Sequence, residues 1–134
     1  MSTETLARLA EIPNIVGVKE ASGSIKQMND VVQMCGPDFT VLSGDDIFTL
    51  PLLAIGGKGV ISVVSNVVPG DMAGMIDAFA SGDLEKARRL HARMTPLIDA
   101  LFIETNPVPV KAALAMMGKI SYELRLPLCR ANVA

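Results

Sequence analysis

Ile15-Val16-Gly17-Val18-Lys19-Glu20-Ala21-Ser22-Gly23-Ser24, residues 15–24, couples a short apolar run to a helix cap, and its reading decides the fold. Ile15 to Val18 is too short for a helix and has no polar alternation, so it predicts a strand buried on both faces. Ser24 is a natural N-cap. After it, Ile25, Met28, Val31, Val32 and Cys35 recur at helical spacing, and Gly36-Pro37 stops the helix. Upstream, residues 3–11 carry Leu6, Leu9 and Ala10 on one side of a short amphipathic helix that Pro13-Asn14 ends. Downstream the alternation repeats. Phe39 to Ser43 predicts a second strand. Asp45 or Asp46 caps a helix over 47–55 that contains Pro51 and ends at Gly56-Gly57. Gly59 to Val64 predicts a third strand, and Pro69 suits the first position of a helix over 69–81.

Strands that alternate with helices imply right-handed βαβ units and a parallel sheet, hence an α/β fold. From Asp83 the pattern is helical only. Leu84, Ala87, Leu90, Met94, Leu97, Ile98, Leu101 and Phe102 trace one apolar stripe that contains Pro96. After Asn106-Pro107-Val108-Pro109 comes a helix over 108–117, closed by Gly118. The tail, 119–134, reads as irregular with room for one short helix. The expected organisation is a partial (β/α)8 barrel over residues 1–82 and a C-terminal helical region over 83–134. A full barrel takes about 250 residues. This chain supplies three such strand–helix units, so as part of a barrel it would lack five strands. A three-stranded parallel sheet has two open edges, which predicts that the isolated chain self-associates or is only marginally stable.

Composition narrows the function classes. The 134 residues are 50% apolar and carry a net charge of −2. Lys86, Arg88, Arg89 and Arg93 cluster, but Glu85 sits among them and there are only four Phe, one Tyr and no Trp, which argues against a nucleic-acid partner. Leu50 to Ile55 is the longest apolar run, far too short to span a bilayer, so no membrane role is expected. Cys35 and Cys129 are widely spaced and no apolar leader precedes them, which points to free thiols in a reducing, cytoplasmic compartment.

Chemistry centres on Lys19, which closes an apolar strand. At the C-terminal end of a barrel strand it would point into the mouth where such enzymes react. An amine must be neutral to attack a carbonyl, and apolar surroundings disfavour the ammonium. The competing reading is a solvated lysine at a strand end. The other candidates are weaker. Adjacent Asp45 and Asp46 read as helix caps, with no His or Cys near enough in sequence to build a metal site. Gly56-Gly57-Lys58-Gly59 precedes a strand, where a phosphate loop would follow one, and reads as a turn. Ser65-Asn66 also reads as a turn. His91, the single histidine, reads as a surface residue, and Met72, Met75, Met94, Met116 and Met117 as core or interface packing.

Gly17-Val18-Lys19-Glu20-Ala21-Ser22-Gly23 resembles the segment around the Schiff-base lysine of the dihydrodipicolinate synthase and N-acetylneuraminate lyase superfamily. Phe39 to Asp46 resembles that superfamily's next strand and loop, and Gly56 to Val63 the strand after it. Glu104-Thr-Asn106-Pro107-Val-Pro109-Val-Lys111 and Leu124-Arg-Leu-Pro127 resemble the C-terminal region of the synthase branch and favour it over the sugar-acid aldolases. The likeness runs in order over nearly the whole chain.

The resemblance implies condensation of pyruvate with aspartate 4-semialdehyde, in the biosynthesis of diaminopimelate and lysine. Lys19 would be the imine-forming residue, with no metal and no organic cofactor. Ile61 would offer its carbonyl and an apolar wall beside the bound pyruvate, and Gly44 would leave room there; read from the residues alone they are a core isoleucine and a turn glycine. The same resemblance implies a homo-oligomer. It also implies a relay of two tyrosines and a threonine and a carboxylate-binding arginine, all upstream of this stretch; Tyr122 matches neither tyrosine. A sugar-acid lyase of the same superfamily, or a scaffold without turnover, are the alternatives.

Overall fold

A computed structural model describes residues 1–131. Helix α1, Thr3–Ala10, is capped by Ser2, whose hydroxyl accepts the Thr5 N–H. Strand β1 spans Gly17–Glu20, and α2, Ile25–Cys35, begins at Ser24, whose hydroxyl accepts the Gln27 N–H. Strand β2 is Thr40–Ser43 and α3 is Thr49–Ala54, preceded by a 3₁₀ turn at Asp46–Phe48. Strand β3, Gly59–Val60, leads through a 3₁₀ turn at Val64–Asn66 into α4, Pro69–Ala80. The long α5, Leu84–Leu101, runs through Pro96, and α6 is Val108–Met116.

The strands form one parallel sheet in the order β1-β2-β3. Lys19 lies opposite Leu42, Glu20 opposite Ser43, and Ser43 opposite Val60. All three strands therefore end at the same level.

Two apolar clusters hold the chain together. Leu6, Met28, Val31, Phe39, Val41 and Leu52 pack where α1, α2 and α3 cover the sheet. Val64, Met72, Met75, Met94, Ile98 and Val110 join α4, α5 and α6 to the turn after β3. Met28, Leu52 and Met75 are fully buried, each contributing about 1.5–3 kcal/mol relative to exposure.

Several expectations need correcting. Strand β1 starts two residues later than the apolar run. A turn bond from the Ile15 N–H to the Ile12 carbonyl holds the run's first residue, and Val16 is 71% exposed. The run is not buried on both faces, because β1 is an edge of the sheet among the described residues. The helix expected over 47–55 is split. Pro51 has no N–H to return to the Ile47 carbonyl, and the chain before α3 takes the tighter 3₁₀ form. Strand β3 is two residues long, for a reason that lies in the site described below. Of the methionines expected in core or interface packing, Met72, Met75 and Met94 are core residues, while Met116 and Met117, at 89% and 48% exposed, lie outside the core. No helix forms between 119 and 131.

Both edges of the sheet are open among the described residues, and apolar Val16 and Ile61 stand beside them. On size exclusion, the isolated chain is expected to elute as a concentration-dependent, self-associated species. A monomer whose elution does not change with concentration would contradict this.

His91 is not a free surface residue. It is half-buried on α5, its Nδ1 enclosed without a hydrogen-bond partner. Burial holds its pKa below the ordinary 6.5. The unfolded chain therefore binds the proton more readily, so this contribution to stability is complete above about pH 6.5 and is lost as the pH falls through the folded value. The urea midpoint is expected to drop on acidification from about pH 7 to about pH 5, and His91→Gln to flatten part of that dependence. An identical pH profile in His91→Gln would contradict it.

Candidate active site

Lys19, Gly44 and Ile61 all lie at the C-terminal end of the sheet, one on or just past each strand. The Gly44 N–H donates to the Glu20 carbonyl at 2.6 Å, and the Ile61 N–H donates to the Ser43 carbonyl at 2.8 Å. Each residue just past a strand is thus tied to the neighbouring strand's end. Gly44 also lies under the side chain of Lys19. A Cβ added to Gly44 would stand 2.5 Å from Ala21 Cβ, 3.0 Å from Lys19 Cε and 3.1 Å from the Glu20 carbonyl oxygen. Only a glycine fits there without moving a neighbour.

Lys19 and Glu20 point to opposite faces, as successive strand residues must. Lys19 is exposed, whereas Glu20 is 4% exposed. The apolar hollow expected around Lys19 is not formed by these residues. They supply three strands of a barrel, and among the described residues Lys19 stands exposed on β1, an edge of the sheet. Ile61, expected as a wall, is 48% exposed for the same reason. A shallow hollow of about 290 Å³ beside Lys19 is lined by Met1, Leu6, Val18, Glu20 and Gln27 among others.

Two buried carboxylates support this end of the sheet, and the sequence did not single out their roles. Glu20 accepts the Ser22 N–H at 3.2 Å, the Ser22 hydroxyl at 3.1 Å and Gln27 Nε2 at 3.0 Å. It ties the loop after Lys19 to the first turn of α2. Asp45 caps its own turn, accepting the Ile47 N–H at 3.3 Å, as expected of one member of the pair. Asp46 does not. Its Oδ2 reaches across to accept the N–H groups of Val63 at 2.9 Å and Val64 at 3.1 Å. Those donors would otherwise be available to a strand ladder. Once the carboxylate takes them, the chain leaves the sheet after Ile61, and β3 is short. Ser65-Asn66 lies in the turn that follows, and Gly56 to Lys58 connect α3 to β3, which Gly59 opens. Among the described residues no group of three or more His, Cys, Asp or Glu is arranged to hold a metal ion, and no helix is long and apolar enough to cross a membrane.

The sequence profile of the Dihydrodipicolinate synthetase family matches residues 1–133. The chain belongs to this family. It is 70% identical over 127 residues to the 4-hydroxy-tetrahydrodipicolinate synthase of Syntrophus aciditrophicus (strain SB), a match covering 95% of this chain and 44% of the relative. It is 58% identical over 129 residues to that of Oleidesulfovibrio alaskensis, covering 96% of this chain and 44% of the relative. Among solved structures, the dihydrodipicolinate synthase of Thermotoga maritima superposes with a TM-score of 0.95 at 50% identity, over 98% of this chain and 46% of that one. The chain therefore spans a little under half the length of the relatives it matches. Its three parallel strands and their helices, which the strand–helix alternation predicted, are the C-terminal part of the family's (β/α)8 barrel, as the resemblance implied.

Proposed function

We propose that this chain is the imine-forming part of a 4-hydroxy-tetrahydrodipicolinate synthase that condenses pyruvate with aspartate 4-semialdehyde. The observation that carries the reading is the passage of the Lys19 side chain across Gly44 at the C-terminal end of the sheet. That is the end of a barrel at which its chemistry takes place. The 70% identity to a relative of that name supports the choice of substrates.

In this reading the Lys19 amine attacks C2 of pyruvate and water leaves, giving a protonated imine. The imine withdraws electrons from the adjacent methyl group, which loses a proton to become an enamine. The enamine carbon then attacks the aldehyde carbon of the semialdehyde. Attack of the semialdehyde's amino group on the imine carbon closes the ring and releases Lys19. Gly44 leaves space beside the bound keto acid, and Ile61 presents its carbonyl and an apolar wall. The walls that would exclude water from Lys19 belong, on this proposal, to the barrel strands found in the longer relatives. The reading includes assembly into a homo-oligomer. It also includes a cytoplasmic location, supported by the free thiols Cys35 and Cys129.

Trapping tests the proposal. With pyruvate and borohydride, a pyruvate-sized mass is expected on Lys19 in preference to the other lysines. The Glu104 to Lys111 stretch favours the synthase over a sugar-acid lyase. A preference for a sugar acid over pyruvate in the same assay would move the assignment to that branch.

A further inference from the structure

Two tethers hold the chain where it leaves β3, and both come from the segment after β2. The first is the Ser43 carbonyl on the Ile61 N–H at 2.8 Å. The second is Asp46 Oδ2 on the N–H groups of Val63 and Val64. Ile61 and Ser62 are stretched between them. Ser43 is itself locked, its hydroxyl donating to the Asp45 carbonyl at 2.6 Å and accepting the Asp45 N–H at 3.2 Å. The two loops at the mouth are thus tied to each other, and Asp46 is the side chain that joins them.

Asp46 is 1% exposed, and its second oxygen, Oδ1, has no hydrogen-bond partner. A carboxylate buried with only half of its lone pairs matched is poorly compensated for the water it gives up. An apolar side chain of similar shape would fill the space at least as well. What such a side chain would not do is fix the backbone of residues 61–64.

We propose that Asp46 is a positioning residue that acts through Val63 and Val64. It sets the orientation of the Ile61 carbonyl and side chain toward a keto acid held on Lys19. This rests on the imine reading of Lys19 given above.

The test uses the chain itself with pyruvate and borohydride, reading the label at Lys19 relative to Lys26 and Lys58 by peptide mapping. Asp46→Ala is expected to lower the Lys19 preference by about 10- to 100-fold, the scale of a small misplacement of a reacting geometry. Far-UV circular dichroism should match the parent. Asp46→Asn, which keeps one acceptor oxygen, is expected to recover most of the preference. Asp45→Asn, still a competent cap, should leave the preference unchanged. If Asp46→Ala does not fold, Asp46→Leu removes the acceptors while filling the space, and the same loss is expected. Wild-type preference for Lys19 in a folded Ala or Leu variant would overturn the positioning role alone. No preference for Lys19 in the parent chain would overturn the imine reading, and this proposal with it.

Discussion

Lys19→Arg is expected to remove the pyruvate adduct at position 19 altogether, and to lower condensation by on the order of 10³-fold or more in a barrel of the relatives' full length. Arginine keeps the positive charge and much of the reach of lysine. Its guanidinium stays protonated and offers no lone pair to a carbonyl carbon. The substitution therefore separates covalent chemistry from simple attraction of a carboxylate. Because Lys19 is exposed, the folded chain should tolerate the change, with stability altered by about 0.5 kcal/mol or less. Lys19→Ala should behave alike in chemistry. Residual condensation in Lys19→Arg close to the parent rate would make the lysine an anion-binding group.

Gly44→Ala is expected to cost both stability and imine formation. The added methyl carbon would stand 2.5 Å from Ala21 Cβ, 3.0 Å from Lys19 Cε and 3.1 Å from the Glu20 carbonyl oxygen. The lysine tail can swing away, but the Ala21 methyl and the Glu20 carbonyl are fixed by the strand end and by the 2.6 Å bond from the Gly44 N–H. Overpacking of this kind costs about 1–3 kcal/mol. A urea titration should record that as a lower midpoint. Displacing Lys19 Cε should also slow trapping by about 10- to 100-fold. An Ala variant with the parent's midpoint and trapping rate would mean that Gly44 is merely a turn residue.

The parts of this molecule that were legible in the sequence are those set by neighbours along the chain. Ser24 and Gly36 bracket α2 because caps and stops act within one turn. The apolar spacing of α5 put Ala87, Met94, Ile98 and Leu101 inside, although Leu84 and Phe102 at its ends remain exposed. The parallel order of the sheet followed from alternation alone, and Lys19 stood out as a charge closing an apolar strand. The errors arise where a partner lies far away in sequence. Nothing local distinguishes Asp46 from Asp45, yet Asp46 spends its carboxylate on N–H groups 17 and 18 residues downstream and so shortens β3. Glu20 reads as a charged strand end, and only the folded loop reveals that Ser22 and Gln27 bury it. The exposure of Lys19 depends on the strands that would stand beside β1, which no motif in these residues encodes. His91 was misjudged because the packing around α5, not its own polarity, decides its burial.

The role proposed for Lys19 is to form an imine with a 2-keto acid at the mouth of this sheet. Incubation with pyruvate, reduction by borohydride and peptide mapping measure that directly. The account predicts a pyruvate-sized adduct concentrated on Lys19, well above the label on Lys26, Lys58, Lys86, Lys111 and Lys119. A label spread evenly over the six lysines, or no label on a folded chain, would contradict it.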